Sequence, residues 1–421
     1  MSADREPALC GMRRNKVRVL LVPTHPTQYS APAFRLLARD PRLEIQVAYC
    51  SLQGARAGFD PEFGREVQWD IPLLDGYPWV EVPNRSPWPG LGRFWGLLNP
   101  GSWKLIRRGH FDAVIFYTGY RYATFWIGLL AAKVTGTEVL FGTDAATLEP
   151  RDGRAWKRRV KRLLWPLLFR LPDHVISVSA AGAELMRSLG VPAERVTVAP
   201  FAVDNDWWSA QAARVDRQAV RRAWNIAEDD LVVLFCAKLQ SWKRPLDVLR
   251  AFHLAGIPRS VLVMAGEGPL RGQIEAEAAA LGIGGRVRVL GFVNQSQLPG
   301  TYSAADLFVL PSDYDPCPVV VCEAMLCGLP VVLSDRVPGR FDLVRPGVTG
   351  EIFPCGNVSA LAEVLRKLLD DRTRLALMSQ NAQERIASCS MQQGVAETIR
   401  AICRAVVHRR GWDGPDAEPP L

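Results

Sequence analysis

Two successive series of short, β-branched apolar runs, each alternating with helical stretches, constrain this chain more than any other feature. The first series reads KVRVLLV, EIQVAYC, DAVIFY, TEVLFG and HVISVS, with helical patterns such as APAFRLLARD between its members. The second reads DLVVLFCAKL, SVLVMAGEG, RVRVLGF, DLFVLPS and LPVVLSD, again with helices such as RGQIEAEAAALGI between strands. The runs are near-continuously apolar, which is what strands buried on both faces of a parallel sheet require. A strand, a crossover helix and a second parallel strand form a βαβ unit, so each series predicts one α/β domain with helices on both faces of its sheet.

The length agrees with two such units: 421 residues exceed what one hydrophobic core usually organises. The boundary falls in VAPFAVDNDWWSA, a strand end followed by polar and aromatic residues, with the linker near Asn205. We expect one α/β domain over residues 1–204 and a second over 205–394. A terminal helix over 395–410 is expected to return to the first domain, with a frayed tail over 411–421. Two domains facing each other leave a cleft between them, and in open parallel sheets ligands bind beyond the carboxyl ends of the strands.

Charge narrows the partner. A net charge of +8 favours an anionic ligand or surface without choosing among nucleotide phosphates, nucleic acid and lipid. No apolar run approaches the roughly 20 residues of a membrane-spanning helix, and VRVLLVP is too short for a cleavable signal, so a cytoplasmic location is expected. The nine cysteines are an odd number, and Cys317, Cys322 and Cys327 match no zinc spacing, so they read as buried free thiols. Two stretches break the alternation. From Phe59 to Trp103 the sequence is dense in Trp, Pro and Gly and reads as a long elaborated loop of functional use. Between Arg151 and Arg170, basic residues interleave with Trp156, Trp165 and several leucines, a pattern that suits either a solvated surface helix or an amphipathic helix on an anionic bilayer.

The chemistry gathers in three loops after strands of the second series. In AGEGPL, Gly266 and Gly268, followed by Pro269, allow backbone N–H groups to approach a phosphate or base, though a plain strand-to-helix turn has the same sequence. In AKLQSWKR, Lys238 and Lys243 are spaced to converge on a diphosphate. In DYDPCPVVVCEAMLCG, a loop through Asp315, Cys317 and Pro318 leads into a helix stopped by Gly328. The free N–H groups at Val319 and Val320 can meet phosphate oxygens, while Glu323 on the first turns can accept two ribose hydroxyls. Asp315 then faces the sugar. No GxGxxG follows either opening strand and no phosphate-binding GxxxxGK[ST] occurs, which argues against dinucleotide oxidoreductases and P-loop NTPases. In the first series, His25 follows the first strand and Asp144 follows TEVLFG, so both are candidates for the cleft, with Tyr120 and Arg121 behind them.

AKLQSWK, AGEGPL, YSAADLFVLPS and a D-x7-E followed by AMLCGLPVV, in that order between Leu231 and Leu343, resemble the nucleotide-sugar half of the family-4 retaining glycosyltransferases. The first half resembles a subgroup with HPxQYxxP, here His25, Pro26, Gln28, Tyr29 and Pro32, and a closing PxxVDN, here Pro200, Val203, Asp204 and Asn205. The resemblance implies the GT-B fold of two facing Rossmann-like α/β/α domains with an interdomain cleft. It implies a nucleoside-diphosphate-sugar donor held by Glu323 at the ribose, Lys238 and Lys243 at the diphosphate and Asp315 at the transferred sugar. It also implies retention of anomeric configuration, with the leaving phosphate taking the acceptor proton. Lys238 stands where Arg is usual, Asp315 where Glu is usual, and THPTQYS replaces a Gly-Gly loop. Asp313 and Asp315 spell the DxD of metal-dependent transferases of another fold. With two lysines and a helix start available to neutralise a diphosphate, we read that match as coincidence and expect neither metal nor cofactor.

The expected activity is therefore sugar transfer to a lipid-linked or cell-surface glycan acceptor, with peripheral contact to an anionic membrane through the stretch from Arg151 to Arg170 and no nucleic-acid partner. Three alternatives stand beside it: a catalytically silent GT-B partner subunit, a nucleotide-sugar epimerase of related fold, and a basic nucleic-acid-binding protein.

Overall fold

The computed structural model describes residues 16–60, 62–149, 154–200, 203–315, 318–337 and 343–410. Cys317, the residues from Arg151 to Gly153 and the 411–421 tail lie outside the described residues.

The first half contains β1 (Val17–Val22), α1 (Ser30–Arg39), β2 (Leu43–Tyr49), β3 (Gly58–Asp60), β4 (Arg65–Val67), β5 (Trp79–Glu81), α2 (Gly101–Gly109), β6 (Ala113–Phe116), α3 (Ala123–Thr135), β7 (Glu138–Thr143), α4 (Ala155–Leu168), β8 (His174–Ser177), α5 (Ala180–Ser188) and β9 (Val196–Val198). Its seven-stranded sheet has the order β5-β2-β1-β6-β7-β8-β9, parallel throughout. After α6 (Asn205–Ala212) and α7 (Arg217–Ala223) come β10 (Leu231–Cys236), α8 (Pro245–Ala255), β11 (Ser260–Ala265), α9 (Arg271–Ala280), β12 (Val287–Gly291), α10 (Leu298–Ser303), β13 (Leu307–Leu310), α11 (Val319–Leu326), β14 (Val331–Ser334), β15 (Gly350–Phe353), α12 (Val358–Leu369), α13 (Arg372–Ala387) and α14 (Met391–Arg410). The second sheet, six parallel strands, has the order β12-β11-β10-β13-β14-β15.

Both sheets therefore step outward from a central first strand, reverse, and step outward on the other side. In each, the strand order reverses beside the first strand, between β1 and β6 and between β10 and β13, which opens a crevice at the carboxyl ends. Every residue of β10 and of β11 is buried, as their unbroken apolar sequences require. The helices on the two faces of each sheet close four apolar cores, two per domain.

Chain crossings join the two halves. Ala199 ends in the core of the first domain, while Val203 and Trp208 belong to the core of the second. Asp204 caps α6 by accepting from Trp207 N at 3.0 Å. The long α14 leaves the second domain and buries Met391, Val395, Ile399 and Ile402 in the core of the first, against α1 and the sheet. It does so as one helix from Met391, with no break at residue 395.

The stretch from Phe59 to Trp103 is more structured than its sequence suggests. β3 and β4 form an antiparallel hairpin, β5 adds an edge strand to β2, and α2 starts at Gly101. Each of these strands has three residues, too few for a period to show. The cysteines also depart from expectation: Cys50, Cys236 and Cys322 are buried free thiols, whereas Cys327, Cys355, Cys389 and Cys403 are only partly buried.

Candidate functional site

The loops after β1, β10, β11 and β13 face one another across a cavity of about 410 Å³ between the domains. Its walls bring together His25 and Tyr29 from the first domain with Lys238, Lys243, Gly266, Asp315, Val319, Val320 and Glu323 from the second. Residues separated by almost 300 positions thus meet because both sheets present the same ends to one cleft.

Glu323 is the most unusual group. It lies on α11, fully buried, and accepts a hydrogen bond from Tyr302 Oη to its Oε2 at 2.8 Å. Its Oε1 has no hydrogen-bond partner. Burial raises its pKa to about 7, against the hydroxyls of Tyr302 and Tyr29, which hold it down. A buried carboxylate oxygen without a donor is costly, and a ligand that supplies donors relieves that cost.

The two lysines are held differently. Lys243 follows the strand end of β10 on a short helical turn and reaches Asp315 Oδ2 at 2.5 Å, with both side chains mostly buried. Lys238 instead crosses the cleft, to Glu62 Oε2 at 2.6 Å and Asp60 Oδ2 at 3.4 Å, with its ammonium 4.4 Å from the Phe63 ring centre. Those partners sit on the β3–β4 hairpin, which the sequence flagged only as an aromatic-rich loop. The hairpin is fastened to the second domain. Gln240 Nε2 donates to Glu62 O at 2.6 Å, Phe63 and Trp69 pack on Phe292, and Asn294 Nδ2 donates to Gln68 O at 2.9 Å. Asp70 completes the joint by accepting from Ser296 N at 3.1 Å.

Gly266 lines the cleft, but Gly268 and Pro269 do not. Gly268, at φ +157°, lies where a Cβ would come within 2.7 Å of Leu239 O, and Gly266, at φ +152°, would collide with Ala237 O. Both glycines let the loop after β11 pass close against the loop after β10. His25 lies at the junction of this cleft with a second cavity, also about 410 Å³, roofed by α14. Its Nδ1 is 2.9 Å from Thr24 Oγ1, and burial lowers its pKa to about 4, which keeps the ring neutral near pH 7. Asp144 lines the second cavity and not the first, beside Tyr117 and Thr398. Tyr120 pairs with Trp165 Nε1 at 2.9 Å, and Arg121 donates to Leu91 O at 2.7 Å, so neither lines the cleft. The two acids of the DxD pattern have cationic partners. Asp313 accepts from Arg244 Nη1 at 3.2 Å, and Asp315 is paired to Lys243.

Residues 10–202 match the family model described as glycosyl transferase 4-like domain, and residues 216–385 match glycosyl transferases group 1. Among curated relatives, D-inositol 3-phosphate glycosyltransferase 1 of Catenulispora acidiphila is 30% identical over 251 residues, covering 57% of this chain and 59% of that protein. Alpha-D-kanosaminyltransferase of Streptomyces kanamyceticus is 28% identical over 225 residues, covering 53% and 58%. The chain thus spans less than two thirds of the length of these relatives. Among solved structures, Anabaena HepE in complex with UDP and glucose superposes with a TM-score of 0.67 at 21% identity, covering 91% of this chain and 99% of that one. Sucrose-phosphate synthase from Thermosynechococcus elongatus superposes at 0.68 with 18% identity, covering 93% and 100%.

Proposed function

Because the chain belongs to the family-4 glycosyltransferases of the GT-B fold, we propose that it transfers a sugar, with retention, from a nucleoside diphosphate to a lipid-linked or cell-surface glycan. The observation that carries this reading is Glu323, a buried carboxylate with an unpartnered Oε1 at the wall of the interdomain cleft. Two vicinal ribose hydroxyls are the donors it lacks. Support comes from HepE, a protein of this fold whose structure holds UDP and glucose.

In this reading Lys243, Lys238 and the N-terminal end of α11 neutralise the diphosphate, and Asp315, held by Lys243, faces the transferred sugar. The acceptor hydroxyl oxygen bonds to the anomeric carbon as the bond to the diphosphate breaks, and the hydroxyl proton passes to the departing phosphate oxygen. No side-chain nucleophile is needed. Metal independence belongs to the same proposal, because lysines and helix dipole supply positive charge where the leaving group forms. The acceptor is assigned to the first domain, where His25 and Asp144 line the second cavity. We further propose a cytoplasmic protein that works at the membrane face, touching it through the stretch from Arg151 to Arg170.

The test is thermal stabilisation by a panel of nucleoside diphosphates and their sugars, with and without EDTA. A shift selective for one base that survives EDTA is expected. No shift with any of them would sink the donor site and move the silent-subunit reading ahead.

A second expected result concerns the hairpin. Glu62 occupies Lys238 where the donor's diphosphate would sit. Glu62→Gln should therefore strengthen binding of the free nucleoside diphosphate severalfold, measured by calorimetry. Weaker binding would show instead that Glu62 belongs to the donor site.

A further inference from the structure

Most of the large apolar side chains exposed among the described residues lie on three adjoining elements of the first domain. α4 buries only Trp165 and leaves Leu163 72% exposed, with Trp156, Val160, Leu164 and Leu167 also open to solvent. α3 buries Phe125 and Leu129 against the sheet and turns Trp126, Leu130 and Val134 outward, one per turn, the last 63% exposed. The loop before α2 adds Trp88, Phe94 and Trp95.

These elements are neighbours. Trp165 Nε1 is 2.9 Å from Tyr120 Oη and Trp126 Nε1 donates to Tyr120 O at 2.8 Å, so α3 and α4 meet on one residue. Lys133 on α3 bonds Asp173, just past α4, at 2.8 Å. Tyr122 Oη and Arg121 both donate to Leu91 O at 2.7 Å and hold the aromatic loop to the start of α3. An apolar area of this extent on a soluble domain marks an interaction site.

Charge decides the occupant. α4 carries Lys157, Arg158, Arg159, Lys161 and Arg162, and residues 155–170 contain no acid. A second copy of the same face would bring like charges together. We infer that this three-element face docks on an anionic bilayer, with α4 lying among the headgroups and the α3 stripe and the Trp88–Trp95 loop entering the interface beside it. Tryptophans suit that depth, where one part of the ring is wet and the rest apolar. The face is thus wider than the basic stretch alone, and it binds through apolar insertion as well as charge. The docking serves the proposed membrane-borne acceptor, although the observations that carry it are independent of the donor site.

The test is co-sedimentation of the full chain with phosphatidylcholine vesicles, with and without phosphatidylglycerol, across a salt series. Binding to the anionic vesicles is expected, weakened but not abolished by salt. Leu130→Ser with Val134→Ser, and separately Trp88→Ala with Trp95→Ala, should each lower partitioning roughly tenfold. Neutralising the five basic residues of α4 should remove the preference for anionic lipid. Melting curves and nucleoside-diphosphate stabilisation of these variants should be unchanged, so a failure of the donor reading would appear in that assay alone. Absence of vesicle binding, full binding by the α3 and loop variants, or a stable dimer in light scattering that those variants dissolve would each overturn the inference.

Discussion

Replacing Glu323 by Ala is expected to raise the donor KM, depress kcat and lower kcat/KM by at least about a hundredfold, since two hydrogen bonds to a charged acceptor contribute on the order of 1.5 to 3 kcal/mol each. Glu323→Gln keeps the volume and the Tyr302 contact, and it separates binding from folding. Burial lifts the folded carboxyl from 4.5 to about 7, so folding favours the protonated acid. The stability tied to this group is fully present below pH 4.5 and is lost as pH rises to about 7, at roughly 1.4 kcal/mol per unit. The Gln variant escapes that loss. Its melting temperature should exceed the parent's above pH 7 while its activity falls. Donor affinity of the parent should rise with pH up to about 7 and then level off, because the ionised carboxylate accepts the ribose hydroxyls and the protonated one accepts them poorly. Unchanged donor kinetics in either variant would remove Glu323 from the site.

The β10 and β11 runs were legible in the sequence because a strand buried on both faces leaves no room for polar residues, and the helix start at Val319 because a loop and a Gly stop bracket it. Both lysines and both acids of the site were legible as well, from their places after strands. What each charge touches was not. Lys238 and Glu62 are 176 positions apart, one in the loop after β10 and the other in the turn between β3 and β4, and no local pattern links them. The hairpin that carries Glu62 is built from three-residue strands, and the segment that follows it is tied through Gln68 and Asp70 to Asn294 and Ser296 of the other domain. Asp144 follows a strand end as the cleft residues do, yet β7 lies away from the switch point, so its loop opens on the second cavity. Gly268 illustrates the reverse: its sequence context suggests phosphate binding, while its neighbours show that two loops pass too close for a side chain. The open face of α3 was hidden because the helix is apolar all round, a pattern that usually means burial.

Removing the charge of Lys243 should have the second large effect, in two separable parts. The ammonium and Asp315 Oδ2 are 2.5 Å apart, and Asp315 is 8% exposed. Lys243→Met leaves that carboxylate buried without its cation, which typically costs 3 to 5 kcal/mol, roughly, and should lower the melting temperature by many degrees. Adding Asp315→Asn removes the stranded charge, so the double variant should recover most of that stability, and the cycle should be strongly non-additive. Activity should not recover. If, as proposed, Lys243 neutralises the departing diphosphate and the Asp315 carboxylate faces the sugar, kcat/KM of the double variant should stay about a thousandfold down. Thermal melts and donor kinetics on the four proteins of the cycle separate the parts. A double variant that regains both stability and turnover would mean that the pair only braces the loop after β13 and that the diphosphate is held elsewhere, whereas stability without turnover would place Lys243 on the leaving group.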